Sequence, residues 1–200
     1  MSHKPAVFSP ELFRLLEEAV GAASSVTDQY AIGGAVGMAT YGYARQTSDV
    51  DLFIDDSARM AVLRALKRRG FRVTPIFDGL HYTAQWPDEK DPEARIDILV
   101  PFDDPDWSAV AAPDQAIMEG LAFQVFPPEL LVLSKFYGVD NPQYLADIYK
   151  MLHRAAFDPI LARKYLVEMD PEKVPEWDAM IASIERPRIQ SQKPRRRKPS

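Results

Sequence analysis

The segment Asp49-Val50-Asp51-Leu52 limits the possible folds of this chain more than any other part of it. Residues Val50 to Ile54 are rich in β-favouring types, which predicts a strand. A strand's period of two then points Asp49 and Asp51 to one face and Val50 and Leu52 to the other. Two like charges at neighbouring same-face positions repel, and burying them unpaired is costly, so that face must meet water or a cation. Carboxylate ligands suit Mg²⁺ or Mn²⁺, and a third carboxylate from another strand would complete the cage. Asp97 is the candidate, an isolated acid in ARIDILV whose neighbours Ile96 and Ile98 face the opposite way. The structural alternatives are an ion pair of Asp97 with Arg95 or Arg45, and a plain acidic strand end for Asp49 and Asp51.

Gly33-Gly34 stands between a short predicted strand and a predicted helix, where backbone N–H groups can converge on a phosphate. The pattern is not a P-loop, which needs G-K-[ST], and Gly33, Gly34 and Gly37 are wrongly spaced for G-x-G-x-x-G. The structural alternative is a tight strand-to-helix turn packed closely on the sheet.

With 200 residues, 46% hydrophobic and 26% charged, the chain is long enough for one buried core. No apolar run approaches the ~18 residues of a membrane span, and MSHKPAVFSPELF has no signal-peptide core, so a cytoplasmic protein without a membrane partner is expected. Without cysteine there is no thiolate metal site, and His3, His81 and His153 are too scattered to read as zinc ligands. The net charge of −5 is uneven. The last fifteen residues hold seven of the 24 basic residues and no acid, which leaves residues 1–185 with 17 basic and 29 acidic residues, a charge of −12. The Pro-rich basic tail from Arg186 is expected to be disordered, serving either as a nucleic-acid arm or as a solubilising appendage.

Ser9-Pro10-Glu11 reads as a helix start, with Leu12, Leu15, Leu16 and Ala19 on one face and an end near Gly21. Strands are predicted at Gln29–Ile32, Val50–Ile54, Phe71–Val73, His81–Gln85 and Ile96–Val100. Helices are predicted at Ala35–Tyr41 and, capped by Asp56-Ser57, through RMAVLRALKRR to Gly70. AIMEGLAFQVF reads as a hairpin around Gly120, and after Pro127-Pro128 the pattern is helical. The expected organisation is an α/β (α+β) core over residues 1–126 with a mixed sheet and flanking helices, a helical region over 127–185, and the tail over 186–200.

In this order, Ile32-Gly33-Gly34, Asp49-Val50-Asp51-Leu52 and Asp97 resemble the signature of the polymerase-beta-like nucleotidyltransferase superfamily. The spacer between the glycines and the first aspartate is the fourteen residues Ala35 to Ser48. Within the superfamily the chain is most similar to AbiEii-like toxin nucleotidyltransferases and their bacterial relatives. Arg45-Gln46-Thr47-Ser48-Asp49, Pro128, Lys135 in LLVLSKF and Asp147 in YLADIYKML carry that likeness. The segment FYGVDNPQYLA between Lys135 and Asp147 lacks the arginine common in the relatives.

The resemblance implies transfer of a nucleoside monophosphate from an NTP to an acceptor hydroxyl, with release of pyrophosphate and two divalent ions, Mg²⁺ or Mn²⁺. Asp49 and Asp51 would hold the metals, while Asp97 would share one and help deprotonate the acceptor. Gly33 and Gly34 would cradle the β- and γ-phosphates, Lys135 would neutralise phosphate charge, and Asp147 would orient it or contact the nucleotide. Structural alternatives are an ordinary helix lysine for Lys135, a surface acid pairing with Lys150 for Asp147, and core packing rather than base stacking for Tyr41 and Tyr43. RNA, including tRNA, is the expected acceptor because of the basic tail, and a toxin of this kind would have a cognate antitoxin partner. A small hydroxylated molecule such as an aminoglycoside, a protein hydroxyl, and a non-catalytic nucleotide-binding partner or regulator are the alternatives.

Overall fold

The computed structural model describes residues 8–77, 79–100, 112–154 and 156–185. The expected disorder from Arg186, His3 and the strand-ending Pro101 lie outside the described residues. Helix α1 (Pro10–Ser24) starts as the sequence requires, with Leu12 N–H donating to Ser9 Oγ at 3.1 Å. It buries Leu12, Leu15, Leu16 and Ala19. It passes the predicted end at Gly21, because that glycine answers a packing need: a Cβ there would come within 2.8 Å of the Arg69 guanidinium.

Strand β1 (Tyr30–Ile32), helix α2 (Gly34–Thr40) and strand β2 (Val50–Ile54) follow. The cap of the next helix is Asp55, one residue before the predicted pair. Its Oδ1 accepts from Ser57 N–H at 2.8 Å, and a 3₁₀ turn over Asp56–Ala58 leads into α3 (Arg59–Arg68). Strands β3 (Arg72–Phe77), β4 (His81–Gln85), β5 (Ile96–Leu99), β6 (Asp114–Met118) and β7 (Leu121–Val125) complete the sheet. β6 and β7 form the expected hairpin through Glu119 and Gly120, at φ +50° and +88°. A two-residue turn with both centres at positive φ matches the twist of the strands it joins.

The sheet is seven-stranded and mixed, in the order β3-β4-β5-β2-β1-β7-β6. β2 runs parallel to β5 and antiparallel to β1, so the aspartate-bearing strands are central neighbours. Val50, Leu52, Ile54, Ile96 and Ile98 are each at most 2% exposed and pack with α1 and α3 in one apolar core. Each such side chain contributes roughly 1.5–3 kcal/mol by leaving water. Helices α4 (Pro128–Phe136), α5 (Pro142–His153), α6 (Pro159–Met169) and α7 (Val174–Glu185) build a second core with α2 around Met38, Leu131 and Trp177. The α/β fold class inferred from the sequence is the one observed. None of the described helices is long and apolar enough to cross a membrane.

Candidate active site

Strand pairing brings the three aspartates together. Asp51 on β2 is the register partner of Asp97 on β5, and Asp49 lies two residues before Asp51 on the same face. One carboxylate oxygen from each lies within 4.8 Å of the others. Asp49 Oδ1 accepts a hydrogen bond from Thr47 Oγ1. Asp97 is 6% exposed and held from two sides. The Arg95 Nε–H reaches both of its oxygens at 3.1 Å, and His81 Nε2 lies 3.2 Å from Oδ1. The ion pair considered for Asp97 therefore exists with Arg95, alongside the clustering with Asp49 and Asp51. Arg45 is engaged elsewhere.

Burial pushes the Asp51 carboxyl up to about 6; Lys135 opposes the rise, while the like charges of Asp49 and Asp97 add to it. A carboxylate held at this cost fits a divalent cation, whose charge relieves desolvation and repulsion together, and an all-oxygen donor set suits Mg²⁺ or Mn²⁺.

The glycine pair abuts this cluster. Gly33 N–H donates to the Asp51 carbonyl at 2.9 Å, and Gly34 opens α2 at φ +57°. A Cβ at position 34 would overlap Asp51 Oδ2, and one at position 33 would overlap the Phe53 ring. The N-cap of α2 is Gly33, which has no side chain to cap the first turn. Tight packing against the sheet, the structural alternative, is thus real, and it is packing against the aspartate itself.

Lys135 on α4 is 7% exposed, with Nζ 4.3 Å from the centroid of the Tyr144 ring. It makes no ion pair among the described residues, and its charge acts on Asp51. It is not an ordinary surface lysine. Asp147 on α5 is wholly buried, which replaces the surface pairing with Lys150. It accepts from Tyr43 Oη at 3.0 Å, Gln143 Nε2 at 2.7 Å and Arg45 Nε at 3.3 Å. Tyr43 is 3% exposed, and burial together with Asp147 pushes its hydroxyl up to about 12. Tyr41 Oη donates to Asp114 Oδ2 at 2.6 Å and lies 3.1 Å from the Phe126 carbonyl. Both tyrosines serve the packing and its polar ties.

Sequence reasoning missed His81 and Tyr144. His81 reaches Asp97 along a cross-strand diagonal, since its own register partner is Leu99. Tyr144 reaches Lys135 from a different helix. Neither relation has a local signature.

No protein-family profile matches the chain, and no curated protein matches it by sequence. Solved structures do match. ANT(2″)-Ia, in its complex with adenylyl-2″-tobramycin, shares 19% identity at a TM-score of 0.55, over 85% of this chain and 96% of that one. The Thermotoga maritima protein TM1012, itself a candidate nucleotidyltransferase, shares 13% identity at a TM-score of 0.55, over 76% of this chain and 99% of its own. An antigenic nucleotidyltransferase-like protein from Paracoccidioides brasiliensis shares 18% at 0.51, over 88% and 95%. The chain has the nucleotidyltransferase fold.

Proposed function

We propose that this protein transfers a nucleoside monophosphate from an NTP to an acceptor hydroxyl and releases pyrophosphate. The observation that carries this reading is the convergence of Asp49, Asp51 and Asp97 within 4.8 Å beside a Gly33-Gly34 turn that leaves no room for a side chain.

Asp49 and Asp51 would hold divalent cation, and Asp97 would complete the set. When bound, Mg²⁺ or Mn²⁺ neutralises phosphate charge and makes the acceptor hydroxyl more acidic. The glycine turn seats Asp51 against the backbone, and any phosphate contact here would come from N–H groups after Gly33, whose own N–H is bonded to the Asp51 carbonyl. Lys135, unpaired by any carboxylate among the described residues, offsets charge on the phosphates. The acceptor oxygen forms the new bond to the α-phosphorus as the bond to the bridging oxygen of pyrophosphate breaks. The hydroxyl proton passes to Asp97. Asp147 is wholly buried among Tyr43, Gln143 and Arg45, so its part is to position neighbours rather than to touch nucleotide.

RNA is the acceptor favoured by the basic tail, and the resemblance of the Arg45-to-Asp49 motif, Lys135 and Asp147 to AbiEii-like proteins supports the reading of a cytoplasmic toxin with a cognate antitoxin. A small hydroxylated molecule is the second reading. ANT(2″)-Ia, which shares the fold over 85% of this chain, was captured with an adenylylated aminoglycoside. The test is incubation with each α-labelled NTP, Mg²⁺ or Mn²⁺, and separate pools of cellular RNA, protein and small molecules. Label should enter one pool with the wild type and none with Asp49→Asn. No labelled pool, or equal labelling by the variant, would reject the enzyme and favour a non-catalytic nucleotide-binding regulator.

A further inference from the structure

We propose that Arg45 is a triphosphate ligand of this site and that Asp147 is its positioning residue, gripping one edge of the guanidinium so that the remaining N–H groups serve the phosphates. The inference rests on the nucleotidyl-transfer reading and extends it to a residue outside the carboxylate and glycine motifs.

Asp147 is 0% exposed, and an unpaired carboxylate there would be strongly destabilising. Its partners divide cleanly. Oδ1 accepts from Tyr43 Oη and Gln143 Nε2, and Oδ2 accepts from Arg45 Nε. Gln143 sits one turn before Asp147 on α5, so helix geometry fixes that contact. Tyr43 comes from the segment leading to the Asp49 strand. The carboxylate therefore ties the helical half of the chain to the loop over residues 43–48, whose Thr47 in turn bonds Asp49.

Arg45 is held without being used up. A guanidinium has five N–H groups. Nε–H goes to Asp147 and one Nη1–H goes to the Gln46 carbonyl at 3.1 Å, which leaves three with no partner among the described residues. The side chain is 26% exposed while its Nε edge is anchored on the buried Asp147. A planar fork with free terminal N–H groups is suited to phosphate oxygens in a way that an ammonium is not. Arg45 lies within electrostatic reach of Asp51, as Lys135 does. Tyr144, three residues before Asp147, carries the Lys135 ammonium on its ring. One end of α5 thus orders two cations of different geometry, a point charge and a directional fork, around the same carboxylates.

The test uses the full chain and measures binding of each of the four magnesium–NTP complexes, and of magnesium tripolyphosphate, by calorimetry. Arg45→Gln should weaken the best-bound NTP and tripolyphosphate by about 10- to 100-fold, the scale of charge-assisted hydrogen bonds. Arg45→Lys, which keeps charge and loses the fork, should recover only part of this. Asp147→Asn should weaken binding by several-fold in the wild-type background and have no further effect in Arg45→Gln, because it acts through that arginine. Tyr43→Phe removes a donor from the same carboxylate and should behave likewise, more weakly, which keeps the positioning role testable if Asp147→Asn fails to fold. Unchanged binding by Arg45→Gln overturns the ligand assignment. Additive losses of Asp147→Asn, or of Tyr43→Phe, with Arg45→Gln overturn the positioning role. Wild-type protein that binds none of these probes overturns the nucleotidyl-transfer reading itself, and this inference with it.

Discussion

Gly34 and Asp51 compete for one volume: a Cβ on the glycine would coincide with the Oδ2 side of the aspartate. The backbone at position 34 is also left-handed, at φ +57°. From the sequence, this glycine has two explanations, the approach of a phosphate and a tight turn packed on the sheet. The structure adds a nearer reason, since any side chain here displaces a candidate metal ligand before substrate arrives.

Gly34→Ala should therefore lose stability as well as transfer. The backbone penalty is about 1–2 kcal/mol, enough to lower the melting temperature by a few degrees. A displacement of Asp51 by an ångström should reduce transfer by roughly 100-fold. Gly34→Val should be worse on both counts. Melting curves, Mn²⁺ titration and labelled-NTP transfer are the measurements. A folded alanine variant with wild-type transfer and metal binding would return the glycine pair to a purely structural turn.

Asp51 should oppose stability at neutral pH. Its folded carboxyl is raised from 3.8 to about 6, so the folded chain binds this proton more tightly than the unfolded chain does. Stability is then lost as pH rises through that interval, on the order of 2–3 kcal/mol in all. Asp51→Asn should raise the melting temperature of the metal-free protein at pH 7.5 and leave it nearly unchanged at pH 4. Mn²⁺ should stabilise the wild type at pH 7.5 and not the variant. Retention of the Mn²⁺-dependent shift in Asp51→Asn would remove this residue from the ligand set.

Local pattern in the sequence was enough for the elements and for the identity of the clustered acids. Alternation of Val50, Leu52 and Ile54 against Asp49 and Asp51 reads directly as a strand with one apolar face, and Ser9-Pro10 as a helix start. What local pattern does not hold is pairing between distant segments. The match of Asp51 with Asp97 depends on β2 and β5 lying parallel and in register, and the burial of Asp147 depends on Tyr43 and Arg45 arriving from another half of the chain. β3 extends past the predicted Val73 through Pro75, because it is the outermost strand of the sheet, where a missing N–H is tolerated.

Arg95 and Asp97 separate the two explanations of the third acid. If Asp97 serves the cluster, Arg95 offsets part of its charge while the site is metal-free. Arg95→Gln should then lower the melting temperature without metal and tighten Mn²⁺ binding several-fold, because three less compensated carboxylates attract the ion more strongly. Asp97→Asn should weaken Mn²⁺ binding and cut transfer by orders of magnitude. If Asp97 is only an ion-paired strand residue, both substitutions will destabilise the fold to a similar degree, and neither will change Mn²⁺ affinity.

The acceptor can be approached through the tail. Its seven basic residues from Arg186 onward follow a body of charge −12, so any attraction to a polyanion should come mainly from the tail. A cationic arm gains affinity by releasing counterions from the phosphate backbone, and that gain falls steeply with salt. Deleting Arg186 to Ser200 should raise the apparent KM for RNA and flatten its dependence on salt, while transfer at saturating RNA stays close to that of the full chain. The carboxylates, the glycine turn and Lys135 all lie before residue 186, so the chemistry itself should survive truncation. A small-molecule acceptor predicts something different: KM and its salt dependence would be the same with and without the tail. Equal values for both proteins would leave the tail as a solubilising appendage and move the acceptor to the small-molecule reading.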